Sequence, residues 1–323
     1  MINGQDMNLA ELVEQFSSED RCRAYLEALR WPQGVRCPRC GFAKISRVKA
    51  RKGRGRKADE SRSQFDCDSC RYQFSVTSGT VFHDTHLSLR KWFMATYLIC
   101  ESRKGISGRQ MQRTLGVANK TAWYLCHRIR SAMKQAEEPL RGIVEADETY
   151  LGGRIKHGKG KHSHQRKDWR QNKSIVLGAI ERGGNLRLRH VPNARKGNVH
   201  KFLDDVVHAD AQAIYTDSFR SYPAYKGFDA NTRHEYVNHE AEEWVRGDVH
   251  TNNIESAWSL FDRAMIGAYH QLSKKHLPAY LDEFTFRFNN RENPYLFRDT
   301  LIRLLSAETL PYSELVDPSS KGN

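Results

Sequence analysis

Residues 8–16 (NLAELVEQF) carry apolar side chains at helical spacing, and residues 21–30 (RCRAYLEALR) do so again after the capping run Ser17-Ser18-Glu19-Asp20. Two short helices are expected, the second ended by Trp31-Pro32. Alternation of polar and apolar positions then marks residues 71–76 and 80–82 as strands. Residues 87–100 read as a strongly apolar helix. A second helix, 107–117, is closed by Gly116, and Asn119 caps a third over 120–134. From residue 142 the period changes. Residues 142–151 (GIVEADETYL) form a strand rich in β-branched and aromatic residues, stopped by Gly152-Gly153. Residues 174–181 and 186–191 are strands joined by the hairpin turn Arg182-Gly183-Gly184-Asn185. A helix over 199–207 leads to a strand over 211–217 that ends on an acid. A helix starting near Asn252 carries the apolar stripe Ile254, Ala257, Trp258, Phe261 and Met265, and one over 276–290 turns Leu277, Tyr280, Leu281, Phe284 and Phe288 inward.

This order implies a multidomain α+β chain. Helix, short turn with Gly, helix is the helix-turn-helix pattern. Strand, hairpin, helix, strand and a helical C-terminal region is the order of an RNase H-like α/β domain. The expected parts are N-terminal helices (1–30), a zinc ribbon with a basic loop (31–82), a helix-turn-helix segment (83–138), the RNase H-like domain (139–295) and a C-terminal tail (296–323), polar over 306–323.

Charge adds the partner. Lys+Arg number 52 against 38 Asp+Glu, a net +14 over 323 residues, which points to a polyanion and most simply to nucleic acid. There is no run of about 18 apolar residues, so no membrane span is expected. The polar, acidic first fifteen residues (1–15) are neither a signal nor a transit peptide, so a cytoplasmic, nucleoid-associated protein is expected.

Seven cysteines is an odd number, and four stand in two CxxC pairs: Cys37 with Cys40, and Cys67 with Cys70. Two such pairs suit a closed tetrahedral zinc site in a reducing compartment; redox CxxC motifs come singly on a βα unit. The interval between the pairs exceeds the usual one of about 15–20 residues. The excess is a basic stretch holding Lys44, Arg47, Lys49, Arg51, Lys52, Arg54, Arg56 and Lys57, with no acid among residues 44–57. Its position on a ribbon suggests phosphate contacts. In the helix-turn-helix the third helix offers Lys120, Thr121, Tyr124, Arg128 and Arg130 to a groove, with a plain helical connector as the bland alternative. Trp123, Leu125 and Ile129 read as core. Residues 154–173 are polar and basic; His157, His162 and His164 there have no Cys or acid at ligand spacing and read as a loop near DNA.

The acids carry the chemistry. Glu145, Asp147 and Glu148 crowd one strand, where solvated acids are unusual. Strand alternation puts Glu145 and Asp147 on one face and Glu148 on the other. A hard divalent cation would neutralise such a cluster, whereas a wet edge strand would leave it solvated. Asp217 ends the last strand, as a ligand or as a cap for the turn into Ser218. Glu255 has two competing roles, catalysis or a capping box with Asn252. Asn252 or Asn253 is the reserve neutral oxygen donor.

CPRCG and CDSC, VEADETYLGG, YTD, HTNNIESAW, GAYHQLSKKHLPAYLDEF and FRFNNR together resemble a zinc-ribbon DDE transposase of a bacterial insertion sequence, of the ISXO-two-like type, over about residues 10–295. The resemblance implies an RNase H-like core, Mg²⁺ or Mn²⁺ besides structural Zn²⁺, double-stranded DNA as partner (transposon ends and target), and at least a dimer in the active complex. It makes Asp147 and Asp217 the first two catalytic acids and Glu255 the third, with Asn252 in reserve. One departure stands out: relatives commonly have Lys-Arg where this chain has Asp262-Arg263. A catalytically impaired DNA-binding regulator derived from a transposase is therefore the alternative. A zinc hydrolase would need an open zinc position, and four cysteines close it.

Overall fold

The computed structural model describes residues 7–48, 64–134, 138–152, 173–222, 225, 233–270 and 272–317. In chain order the elements are α1 (Leu9–Gln15), α2 (Glu19–Arg30), β1 (Ile45–Arg47), β2 (Phe65–Cys67), β3 (Gln73–Phe74), α3 (Leu89–Glu101), α4 (Gly108–Leu115), α5 (Asn119–Met133), β4 (Ile143–Leu151), β5 (Ser174–Glu181), β6 (Leu186–Val191), α6 (Lys196–Val206), β7 (Ala213–Asp217), β8 (Arg233–Val237), α7 (Asn252–Ala264), α8 (Leu277–Asn289), α9 (Leu296–Ser306) and α10 (Tyr312–Val316). A single π-helical turn, Met265–Tyr269, follows α7. No described helix is long and apolar enough to cross a membrane. The chain divides into two compact units, one of Met1–Ser102, Ile106–Met133 and Asn293–Asn323, the other of Arg103–Gly105 and Lys134–Glu292.

In the first unit α1 opens with a reciprocal capping box between Asn8 and Glu11, and Ser18 caps α2. Strands β1, β2 and β3 make a small antiparallel sheet in that order. Residues 80–82, expected as a strand, lie in turns, because Thr80 folds back on Thr77 through backbone and hydroxyl bonds. The expected C-terminal tail is instead structural. Helix α9 buries Leu296, Phe297, Thr300, Leu301, Leu304 and Leu305, and Phe297 meets Phe93 of α3 edge-on at 5.8 Å. Its apolar stripe repeats at helical spacing, so the signal was present but was outweighed by the polar residues after it.

The expected recognition helix is corrected too. Gly116 closes α4 in the left-handed conformation (φ 59°), as a helix-turn-helix turn requires. Yet every residue of α5 from Leu125 to Arg130 is buried. Arg128, only 5% exposed, donates to the carbonyls of Val81 and His83 and lies over the rings of Trp92 and Tyr124. Tyr124 donates to Leu310 O at 2.6 Å, and the Lys120 ammonium sits 4.2 Å from the Tyr312 ring centroid. Arg128 and Tyr124 are thus committed to this unit's own packing, and the exposed residues of α5 are Asn119–Thr121 in its first turn and Ser131 near its end.

The second unit is built on a five-stranded sheet in the order β6-β5-β4-β7-β8. The first three strands are antiparallel neighbours, and β7 and β8 run parallel to β4. This is the RNase H-like arrangement. The edge strand β8 was not legible, because Arg233-His234-Glu235-Tyr236-Val237 is polar along most of its length. One sheet face packs on α6 through Val199, Phe202, Leu203 and Val206. The other packs on α7 and α8 through Ile254, Trp258, Phe261, Leu281 and Phe284. Helix α7, carrying Glu255, therefore lies across the same face as Glu145 and Asp147.

Candidate metal centres and active site

Two groups of metal-ligating side chains stand out among the described residues. In the first, Cys37 Sγ lies 3.6 Å from Cys70 Sγ, and Cys40 Sγ 3.6 Å from Cys67 Sγ. Four thiolates about 2.3 Å from one zinc would stand about 3.8 Å apart, so the set fits a closed tetrahedral site. Trp31, Phe65, Tyr72 and Phe74 pack beside it, giving the ribbon the small core its short strands need. Arg47 at the start of the basic stretch pairs with Glu27 at 2.7 Å and covers the Phe65 ring. Lys49, Arg51, Lys52, Arg54, Arg56 and Lys57, expected to contact DNA, lie outside the described residues, as do His157, His162 and His164.

The second group is Asp147, Glu148 and Asp217, each with a carboxylate oxygen within 4.8 Å of the others. Central strands β4 and β7 run parallel, and their last pair is Ala146 opposite Thr216. Asp147 and Asp217 are the next residue on each, so the carboxylates meet where the ladder ends. Glu148, expected on the far face, joins them. Beyond the last pair the β4–β7 ladder no longer joins the two strands, and Asp217 at the end of β7 lies within reach of both Asp147 and Glu148. The Tyr222 hydroxyl beneath bonds Glu148 and is fully buried; burial and then the three acids push its ionisation well above the ordinary tyrosine range.

Asp147 is held from two sides. Its Oδ1 accepts the Glu148 amide at 2.8 Å, and its Oδ2 accepts Trp258 Nε1–H at 3.0 Å. Trp258, expected as core, is both core and positioning group. Opposite Asp147 on β5 stands Gly178. A Cβ there would come within 2.5 Å of the Trp258 ring, so glycine makes the room that lets the indole reach the acid. Burial first, then the charges of Asp217 and Glu255, push the Asp147 carboxyl up to about 7 against the two donors. Asp217, whose Oδ1 accepts Phe219 N–H at 2.9 Å, is also raised, by burial and by Glu255, with the Phe219 amide and His239 opposing.

Glu255 borders this group. Its Oε1 accepts from Thr251 Oγ1 at 2.8 Å and lies 4.0 Å from His239 Nε2; its side chain is 47% exposed. The capping box with Asn252 does not form. The helix starts one residue earlier than such a box needs, with Thr251 at the cap, and Asn252 is exposed. The cap comes from the sheet. Glu145, fully buried, accepts the amides of Asn253 (2.7 Å) and Ile254 (3.2 Å) and the Asn253 side-chain amide (2.7 Å). Arg182 Nε balances its charge at 2.7 Å. The reason for one strand acid is thus not metal but the N-terminus of α7, whose partial positive charge and free N–H groups suit a carboxylate.

The sequence from residue 139 to 289 matches the model of the ISXO2-like transposase domain, and residues 17–73 match the transposase zinc-ribbon domain. The chain is 31% identical over 284 residues to the "Uncharacterized protein in transposable element ISH50" of Halobacterium salinarum, covering 85% of this chain and 92% of the relative. The chain belongs to the ISXO2-like transposase family. As a transposase with a zinc ribbon and an RNase H-like core it agrees with the motif resemblance. Two solved structures show weak likeness: the Mos1 strand transfer complex (12% identity, 66% of this chain, 75% of that chain, TM-score 0.28) and a pre-cleavage Mos1 transpososome (12%, 64%, 76%, TM-score 0.25). In this transposase, the residues sequence reading missed are Glu148, Trp258 as a positioning donor, and Tyr222 and His239 at the margin. A Trp one helical turn from Glu255 and a Gly opposite Asp147 were the available signals.

Proposed function

We propose that the second unit cleaves and joins DNA strands at transposon ends with the help of Mg²⁺ or Mn²⁺. The observation that carries this is the convergence of Asp147, Glu148 and Asp217 where the pairing of the parallel strands β4 and β7 ends, with Asp147 raised to about 7. Three crowded carboxylates are an electrostatic load that a divalent cation relieves, and an all-oxygen donor set suits a hard cation. Asp147 and Asp217 would hold it, with Glu148 in reach and Glu255 at the open side. When bound, such ions neutralise phosphate charge and lower the pKa of an attacking water or 3′-hydroxyl. The chain's own residues keep the donors fixed: Trp258 Nε1–H and the Glu148 amide orient Asp147, and the Phe219 amide orients Asp217. Zn²⁺ in the four-cysteine ribbon is structural in this reading. The basic ribbon and the net +14 charge support DNA as partner, and joining two ends needs at least a dimer.

The test is strand cleavage and joining on labelled transposon-end DNA with Mg²⁺ or Mn²⁺. Asp147→Ala and Asp217→Ala abolish both steps and keep DNA binding; Glu148→Gln and Glu255→Ala each lose at least tenfold, an order-of-magnitude expectation for a lost ligand or positioned acid. Asn252→Ala stays active. An active Asp147→Ala protein would overturn the assignment. A second reading, a DNA-binding regulator without catalysis, rests on Asp262. It is exposed on the same face of α7 as Glu255, two turns or about 10 Å along. Wild type that binds ends but cuts only as Asp262→Lys would establish that reading.

A further inference from the structure

Beside the acid cluster a large ring stands in the open. Trp244 is 57% exposed, and Val245 beside it is exposed as well. Trp244 is the most exposed aromatic side chain among the described residues, and an open indole face is free to stack. It has a ring neighbour on one side and sits on a hydrogen-bonded loop. Its ring packs against the His239 imidazole, centroids 4.6 Å apart at 45°. The Nε2 of that imidazole is 4.0 Å from Glu255 Oε1. The loop between β8 and α7 is tied down on both sides of the indole. Asn238 donates its amide to Glu243 Oε2 and accepts Glu240 N–H on its own side chain. Arg246 donates to Tyr236 O and pairs with Glu235 and Glu243. The indole therefore stands one imidazole away from Glu255, on a loop braced by its own hydrogen bonds.

We propose that Trp244 is a stacking platform for one unpaired nucleobase of the DNA strand whose phosphate lies on the acid cluster. The inference rests on the DNA-processing reading of that cluster and adds a base site to it. A base inside a duplex hides both its faces, so only an unpaired base can lie on the indole. Stacking on an aromatic ring tolerates any base, as a site next to a cut requires if flanking sequence varies. Because the loop is already fixed, little ordering cost falls on binding. A base drawn onto Trp244 also pulls its own phosphate toward Glu255 and out of the regular helical path.

The test measures binding by fluorescence anisotropy, with Ca²⁺ present, to a labelled blunt duplex and to the same duplex with a single-stranded oligothymidine tail. Wild type, Trp244→Ala and Trp244→Tyr are compared; the exposure of the side chain leaves the fold intact in both variants. The tail strengthens wild-type binding roughly tenfold, Trp244→Ala loses that gain, Trp244→Tyr keeps most of it, and all three bind the blunt duplex alike. The same tail gain in Trp244→Ala overturns the proposal. So does an equal loss on both DNAs, or a shift in self-association by sedimentation with the tail gain kept, which would assign the indole to a contact between copies. Wild type that binds neither DNA overturns the reading of the acid cluster, and the base site with it.

Discussion

Replacing Glu145 by Ala removes the group on which the start of α7 rests. The carboxylate is fully buried and accepts three bonds from the first turn of the helix, besides its pair with Arg182. Breaking a buried pair by removing one partner costs about 3–5 kcal/mol, and each orphaned amide about 1 kcal/mol or more. Two features lower the sum. Arg182 keeps the carbonyls of Asp248 and His250, and its side chain is 21% exposed, so water reaches it. The expected loss is about 4 kcal/mol for Glu145→Ala. About half of that is expected for Glu145→Gln, which keeps an acceptor for the helix amides but loses the charge. The assay is local because the chain has two units: hydrogen exchange read on a peptide spanning residues 250–258, together with urea unfolding of the intact chain. Exchange at Asn253 and Ile254 should rise by about three orders of magnitude, as about 4 kcal/mol implies. A double-mutant cycle with Arg182→Leu should recover part of the cost. Protection at these amides equal to wild type would refute the view that a strand acid holds the helix that carries Glu255.

The raised Asp147 makes a pH prediction. Its carboxyl moves from an ordinary 3.8 to about 7, so without metal the folded state holds a proton that the unfolded chain has released between those values. Metal-free protein therefore loses stability as pH rises from about 4 to about 7, on the order of 2–4 kcal/mol at most. Asp147→Asn should flatten that slope and melt higher than wild type in EDTA at neutral pH, but gain less from Mg²⁺; a steeper slope in the variant would contradict the argument. Gly178→Ala forces the Trp258 ring away from a Cβ 2.5 Å distant. It should lower stability by about 1–3 kcal/mol, as overpacking does, and weaken Mg²⁺ binding by calorimetry, whereas unchanged metal affinity would mean the indole does not position Asp147. Cys40→Ser should cut the bound zinc from about one ion per chain and unfold the ribbon, read by elemental analysis and by proteolysis within residues 37–74. Full zinc content in that variant would refute the four-thiolate site.

The sequence by itself determined most of the elements, though not β8 or α9, and singled out the candidate ligands. Four cysteines in two CxxC pairs point to a tetrahedral thiolate site, for which zinc is the first candidate. The strands carrying Asp147 and Asp217 were legible from β-branched runs interrupted by acids. Helix α7 was legible from its stripe. What the sequence left open were the choices that depend on which groups meet in space. Period-two alternation sent Glu148 away from Asp147, and only the end of the β4–β7 ladder brings both to Asp217. Asn252 and Glu255 fit a local capping box, but the tertiary fold supplied a better acceptor, Glu145, from 108 residues away. Arg128 looked like a phosphate contact because charge alone does not tell a solvated guanidinium from one bonded to the carbonyls of Val81 and His83. Local pattern fixes what a residue presents. Burial, register and the partners across the fold fix what it touches, and those depend on chain segments far away in sequence.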